Sequence, residues 1–298
     1  QGVLRGFAML TEQLPDKFDM ILSKDNPHYV SLPGISVLVG GMWIMNLSYW
    51  GFNQYIIQRA LAAKDLREGQ KGIAFAAILK LAMPIIVVLP GIAALLVVPD
   101  LDKPDQAYPA LMELMPTGLK GLIFAALVAA IVSSLGSMTN SIATIFTMDL
   151  YADHRPERTQ HHYVKVGRIA SLTSLIIAMI AAKPLLGNFD QAFQYIQEFT
   201  GFFTPGIVVL FLLGLFWAKT SSNGALVAAV GSAVFSLLIK LLWPDLPFID
   251  RVGAVFLLCA GLAIVISLWR PSDLSRAVDL KGIDFATNTT FNMAAVAV

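Results

Sequence analysis

The chain has 298 residues, 56% of them apolar and only 14% charged, with a mean hydropathy of +0.69. A soluble domain carries about 25% charged residues, so the composition excludes a water-soluble globular protein and predicts a membrane protein, all-α where its apolar runs reach the length of a spanning helix. The 21 basic and 20 acidic side chains nearly cancel to +1, which excludes the dense basic surface that nucleic-acid binding needs.

The leading segment, residues 1–30, spaces Phe7, Leu10, Leu14, Phe18 and Ile21 as a short amphipathic helix would, lying on the membrane or on neighbouring helices. An ordinary loop helix fits the same spacing. Beyond it, a spanning helix needs about 20 apolar residues. Charge-free stretches run from Asn26 to Gln58, Gly121 to Met148, Phe199 to Ala218, Thr220 to Ile239 and Val252 to Trp269. Gly72–Val98 is interrupted only by Lys80, and Ile169–Gly187 only by Lys183. These predict seven spans, and another apolar run begins near Phe285. Pro99-Asp100, Asp102–Pro104, Gly187-Asn188 and Pro244–Pro247 read as turns. The single cysteine, Cys259, sits in an apolar run and cannot form an internal disulfide. A chain that opens at Gln1 with no signal-peptide pattern reads as a piece of a longer protein.

Alternate loops differ in basic content. Arg59, Lys64, Arg67, Lys71, Arg155, Arg158, Lys165, Arg168, Lys219, Arg270, Arg276 and Lys281 make twelve on one side, against five (Lys103, Lys120, Lys183, Lys240 and Arg251) on the other. The positive-inside rule puts the first set in the cytoplasm and the leading segment outside. Trp217, Trp243 and Trp269 fall at span ends, where amphipathic rings sit at headgroup level.

Polar groups inside spans need a reason. Gly40-Gly41, Asn46, Ser48 and Tyr49 weaken the first span. They suit either a broken helix facing a substrate cavity or a glycine pair for close packing with Asn46 bonded to a neighbour. Lys80 lies eight residues past Gly72, about 12 Å along a helix, so it either snorkels or serves a site. Lys240, beside Trp243, reads as a snorkelling anchor. Pro84, Pro90-Gly91 and Pro205-Gly206 mark candidate hinges. The run Ala130 to Ser141 is dense in hydroxyls, with Ser133 and Ser134 at its centre. Hydroxyls with loosened carbonyls suit a hard cation such as sodium, and they also suit helix–helix glue. His154, His161 and His162 lack metal-ligand spacing and read as a solvated loop. Gln191, Gln194, Gln197 and Glu198 lead into the fifth span, either to fork hydrogen bonds to hydroxyls or as a solvated helix start.

The run from Asn46 through Tyr49-Trp50, Asn53-Gln54 and Gln58-Arg59 to Lys64 strongly resembles the sodium/solute symporter family, in particular its sugar-carrying bacterial members. So do Ala125–Tyr151, with Ser133-Ser134 and Asn140-Ser141, and the run from Gln191 through Gln197 to Pro205-Gly206. The resemblance implies a LeuT-type fold of two inverted five-helix repeats plus extra helices. It implies that Asn46, Lys80 and Gln197 hydrogen-bond sugar hydroxyls, that Tyr49 stacks on the sugar ring beside Trp50, and that Ser133, Ser134 and the Ala130 carbonyl bind sodium. The function implied is sodium-driven uptake of a hexose, galactose or glucose, across the bacterial inner membrane. No catalysis and no obligatory protein partner are expected. A symporter for another solute (proline, pantothenate or iodide) is the alternative within the family. Residues 31–218 would form the second repeat, with accessory helices over 219–298. The first repeat would lie outside this chain, leaving both sites as half-sites, so that the chain alone is expected not to transport.

Overall fold

The computed structural model describes residues 2–26, 28–31, 33–186, 192–270, 277–283 and 285–297. The expected Gly187-Asn188 turn, Gln191 and Arg276 lie outside these. The chain divides into two compact units, Gln1–Asn53 with Phe193–Val298, and Gln54–Ala192. Among the described residues the regular structure is entirely helical.

The first unit opens with α1 (Val3–Gln13), whose Phe7 meets Phe18 edge-on at 6.0 Å between ring centres. The expected apolar stripe is therefore used, but it continues past the helix end. The first expected span is not one helix. It is split into α2 (Ser36–Val39), α3 (Gly41–Leu47) and a π-helical turn, Ser48–Phe52, and Asn53 is extended at φ −91°, ψ 116°.

The second unit runs from α4 (Gln54–Leu61) to α5 (Leu66–Leu81), where Asp65 caps the helix by accepting from the Glu68 N–H at 2.9 Å. A π turn at Pro84–Val88 joins α5 to α6 (Leu89–Val97), and Leu66–Val97 still makes one 32-residue apolar span. Pro84 has no N–H to give the preceding turn, so the backbone widens there rather than ending. α7 (Ala107–Glu113) precedes α8 (Thr117–Thr144), which continues through a π segment, Ile145–Tyr151, into α9 (Ala152–His154). α10 (Gln160–Leu186) lies along α8, with the Ser171 hydroxyl donating to the Thr139 carbonyl at 3.3 Å. The most apolar stretches of these spans have no residue buried inside the chain, so lipid or further protein covers them.

The first unit resumes with α11 (Ala192–Gly201) and α12 (Thr204–Phe216), which meet at a 44° bend. The fifth expected span therefore starts earlier than its charge-free run. Its break precedes Pro205, which occupies the first turn of α12, where a missing N–H costs nothing. Then follow α13 (Ser222–Leu242), α14 (Phe248–Trp269) and α15 (Thr289–Ala297). Six of the seven expected spans are thus helices or helix pairs of spanning length, the first being the exception.

Small residues hold α3, α12, α13 and α14 together. α13 buries Gly224, Ala228, Gly231, Ser232 and Ser236, a three-to-four-residue repeat that keeps them on one face. Against them lie Val209 of α12 and Val255, Cys259 and Ala263 of α14. In lipid, close van der Waals packing of small residues replaces the hydrophobic drive. Gly41 shows the closeness: a Cβ there would fall on the carbonyl oxygen of Ile249. The glycine pair therefore serves tight packing and also sits where the first span breaks.

Candidate functional site

Of the eight residues expected to bind ligand, four lie in the first unit. Asn46 is exposed on α3 and donates its amide to the Met42 carbonyl, one turn back, at 2.9 Å. Its partner is its own helix, not a neighbour. Tyr49 and Trp50 meet edge-to-face at 5.1 Å in the π turn and remain 43% and 45% exposed. A π turn shifts the register of the following side chains and recurs at functional sites; here it carries two partly exposed aromatic rings. Gln197 is half-buried on α11, and its carbonyl accepts from the Thr200 hydroxyl at 3.0 Å. One turn earlier, Gln194 donates its amide to the Ser31 hydroxyl at 2.8 Å.

The other four lie in the second unit. Lys80 is exposed in the last turn of α5, just before the Pro84 π turn. Ala130, Ser133 and Ser134 are spaced i, i+3, i+4 on α8, so the Ala130 carbonyl and both hydroxyls share one face. The helix is regular there. The loosened carbonyls anticipated around the serines are absent from that stretch, and the widening begins only at Ile145. Two neutral hydroxyls and a carbonyl are hard oxygen donors that fit a monovalent cation carried as cargo. Just beyond them, α4 is strapped to α8: Arg59 donates to the Ser137 hydroxyl, Gln58 to the Ser137 carbonyl at 3.3 Å, and Asn140 to Gln58 at 3.2 Å. The Ser137 hydroxyl in turn donates to the Ser133 carbonyl at 3.1 Å.

Among the histidines, His162 pairs with the Tyr151 hydroxyl at 2.9 Å and His154 with the Leu150 carbonyl at 2.8 Å.

Sequence reasoning missed a charged network in the first unit. One oxygen of Glu198, on α11, takes both Lys240 of α13 at 2.8 Å and Arg251 of α14 at 2.9 Å. Both cations also lie over the Phe202 ring, 5.8 and 5.2 Å from its centre. Lys240 is thus not simply an anchor reaching for the headgroups. The available signal was a carboxylate and two cations at span ends on the same predicted side; their pairing across three helices was not readable.

A model of the sodium:solute symporter family matches residues 7–231. The chain belongs to this family. It is 47% identical, over its whole length, to a sodium/glucose cotransporter of Vibrio parahaemolyticus, of which it spans 58%. It is 36% identical to a human sodium/myo-inositol cotransporter 2 over 71% of its own length and 34% of that protein's. To a Bos taurus sodium/mannose cotransporter the figures are 31%, 90% and 51%. The chain thus spans about a third to three-fifths of these relatives. The family is one of transporters rather than enzymes, and the apolar helices make the chain multi-pass in a membrane.

Proposed function

We propose that the protein couples the inward flow of sodium to uptake of a hexose, galactose or glucose, by alternating access. The observation that carries this reading is the 47% identity over the whole chain to a protein named for sodium and glucose. The chemistry agrees with it. Asn46, Gln197 and Lys80 supply amide and ammonium groups that pair with sugar hydroxyls, and the exposed ring of Tyr49 offers a flat apolar surface to the sugar face. Sodium binds first from outside, on Ser133, Ser134 and the Ala130 carbonyl. It favours the outward-open state, in which the sugar finds its partners ordered. The repeats then rock, Tyr49 swings aside, and both solutes leave inward.

In this reading residues 31–218 are the second of two inverted repeats, residues 219–298 are accessory, and residues 1–30 lie on the periplasmic side of a bacterial inner membrane. The basic loops support that orientation. Relatives named for myo-inositol and mannose favour a second reading in which another ring polyol is preferred. Gln197→Ala in the full-length protein should raise the sugar KM about tenfold or more, as loss of an amide serving the substrate alone would. Unchanged sugar uptake would remove Gln197 from the site. Competition among galactose, glucose, mannose and myo-inositol ranks the substrates.

A further inference from the structure

The Glu198 network has no part in the chemistry above, yet its geometry bears on Gln197. Arg251 is 5% exposed, and a guanidinium that deep needs both a counter-ion and a favourable surface. It has Glu198 on one side and the Phe202 ring on the other. Lys240 reaches the same carboxylate oxygen from α13. The three side chains therefore tie α11 to two other helices through one point, and that point is the residue next to Gln197. Four residues on, the bend between α11 and α12 is tied to α13 as well. The buried Ser232 hydroxyl donates to the Phe202 carbonyl at 2.7 Å and accepts from the Gly206 N–H at 3.0 Å, so both backbone groups freed by the break are satisfied. A Cβ on Gly206 would meet the carbonyl of Ala228, which keeps α12 hard against α13.

The C-terminal half of the short helix that carries Gln197 is thus tied to α13 and α14 at two points, Glu198 and the bend at Phe202. Without the tie at Glu198, a turn of about 20° about the axis of α11 would move a side-chain tip ~2 Å, given a helix radius of about 5–6 Å with side chains. That displacement breaks a hydrogen bond.

We propose that Arg251 and Lys240 are positioning residues for the sugar: by clamping Glu198 they set the rotation of α11 and so aim the Gln197 amide. On this account α13 and α14 take part in substrate affinity without touching substrate. The inference rests on the assignment of Gln197 to the sugar, and the experiment separates the two.

The test is sodium-driven galactose uptake by the full-length protein in proteoliposomes, with sugar KM, maximal rate and sodium half-saturation measured for each variant. Arg251 is the residue to change, because removing Glu198 would strand a buried cation, whereas Arg251→Met leaves Glu198 paired with Lys240. Arg251→Met should raise the sugar KM about tenfold while the maximal rate and sodium half-saturation stay within about twofold. Arg251→Lys should restore most of the affinity. The exposed Lys240→Met, which carries little folding risk, should raise the sugar KM about threefold. In a Gln197→Ala background, Arg251→Met should add less than about twofold, because the two residues act through one contact. Equal effects in both backgrounds, or sugar and sodium constants moving together, would overturn the clamp. So would an unchanged sugar KM in Lys240→Met if Arg251→Met fails to fold. If Gln197→Ala alone leaves the sugar KM unchanged, the sugar assignment of Gln197 falls. If it raises KM and the clamp variants do not, only the clamp falls.

Discussion

Ser133 and Ser134 offer two hydroxyls on the face of α8 that also carries the Ala130 carbonyl. A hydrogen-bonding group serving a charge contributes about 1.5–3 kcal/mol, so Ser134→Ala should raise the sodium half-saturation roughly 10- to 100-fold. Sodium-activation curves of sugar uptake check this; an unchanged curve would place the ion elsewhere. The pattern of hydroxyls was visible in the sequence, but spacing alone favoured glue over ligand, and only the resemblance turned that reading. For Asn46 spacing left the cavity and packing readings even, and the resemblance again decided. Its amide bonds back onto Met42, a local arrangement that no polarity pattern predicts. Glu198, Lys240 and Arg251 were legible as charges but not as partners, because |i−j| is 53 for the Glu198–Arg251 pair and such pairing exists only once three helices have packed.

At the scale of elements, the charge-free runs located the spans because lipid permits few exceptions to apolarity. Where a span breaks was harder to read. Pro205-Gly206 marks a candidate hinge in the sequence, yet proline in a first helical turn marks a start, so the bend falls just before it, between Gly201 and Thr204. The first span was readable as weak from Gly40-Gly41. That the pair also brings α3 against the Ile249 carbonyl depends on where α14 begins, over 200 residues later. Gly41→Val should therefore overpack this contact and cost about 1–3 kcal/mol. Gly214→Ala, which meets open space in the last turn of α12, should be neutral or stabilising by up to about 1 kcal/mol. Thermal unfolding in detergent compares them, and equal melting temperatures would contradict the close approach at Gly41.

For the whole molecule, the family and the apolar helices place the work in the membrane, where a potential of about 100 mV is worth about 2.3 kcal/mol per charge. A tenfold sodium gradient adds about 1.4 kcal/mol. With one sodium per cycle the two sustain roughly 500-fold sugar accumulation. The most direct measurement is therefore radiolabelled galactose uptake by the full-length protein in sealed proteoliposomes, under an imposed inward sodium gradient with the interior negative. The account predicts transient accumulation above equilibrium that vanishes when potassium replaces sodium and collapses when the gradient is dissipated. Uptake that only equilibrates, at the same rate with or without sodium, would contradict it.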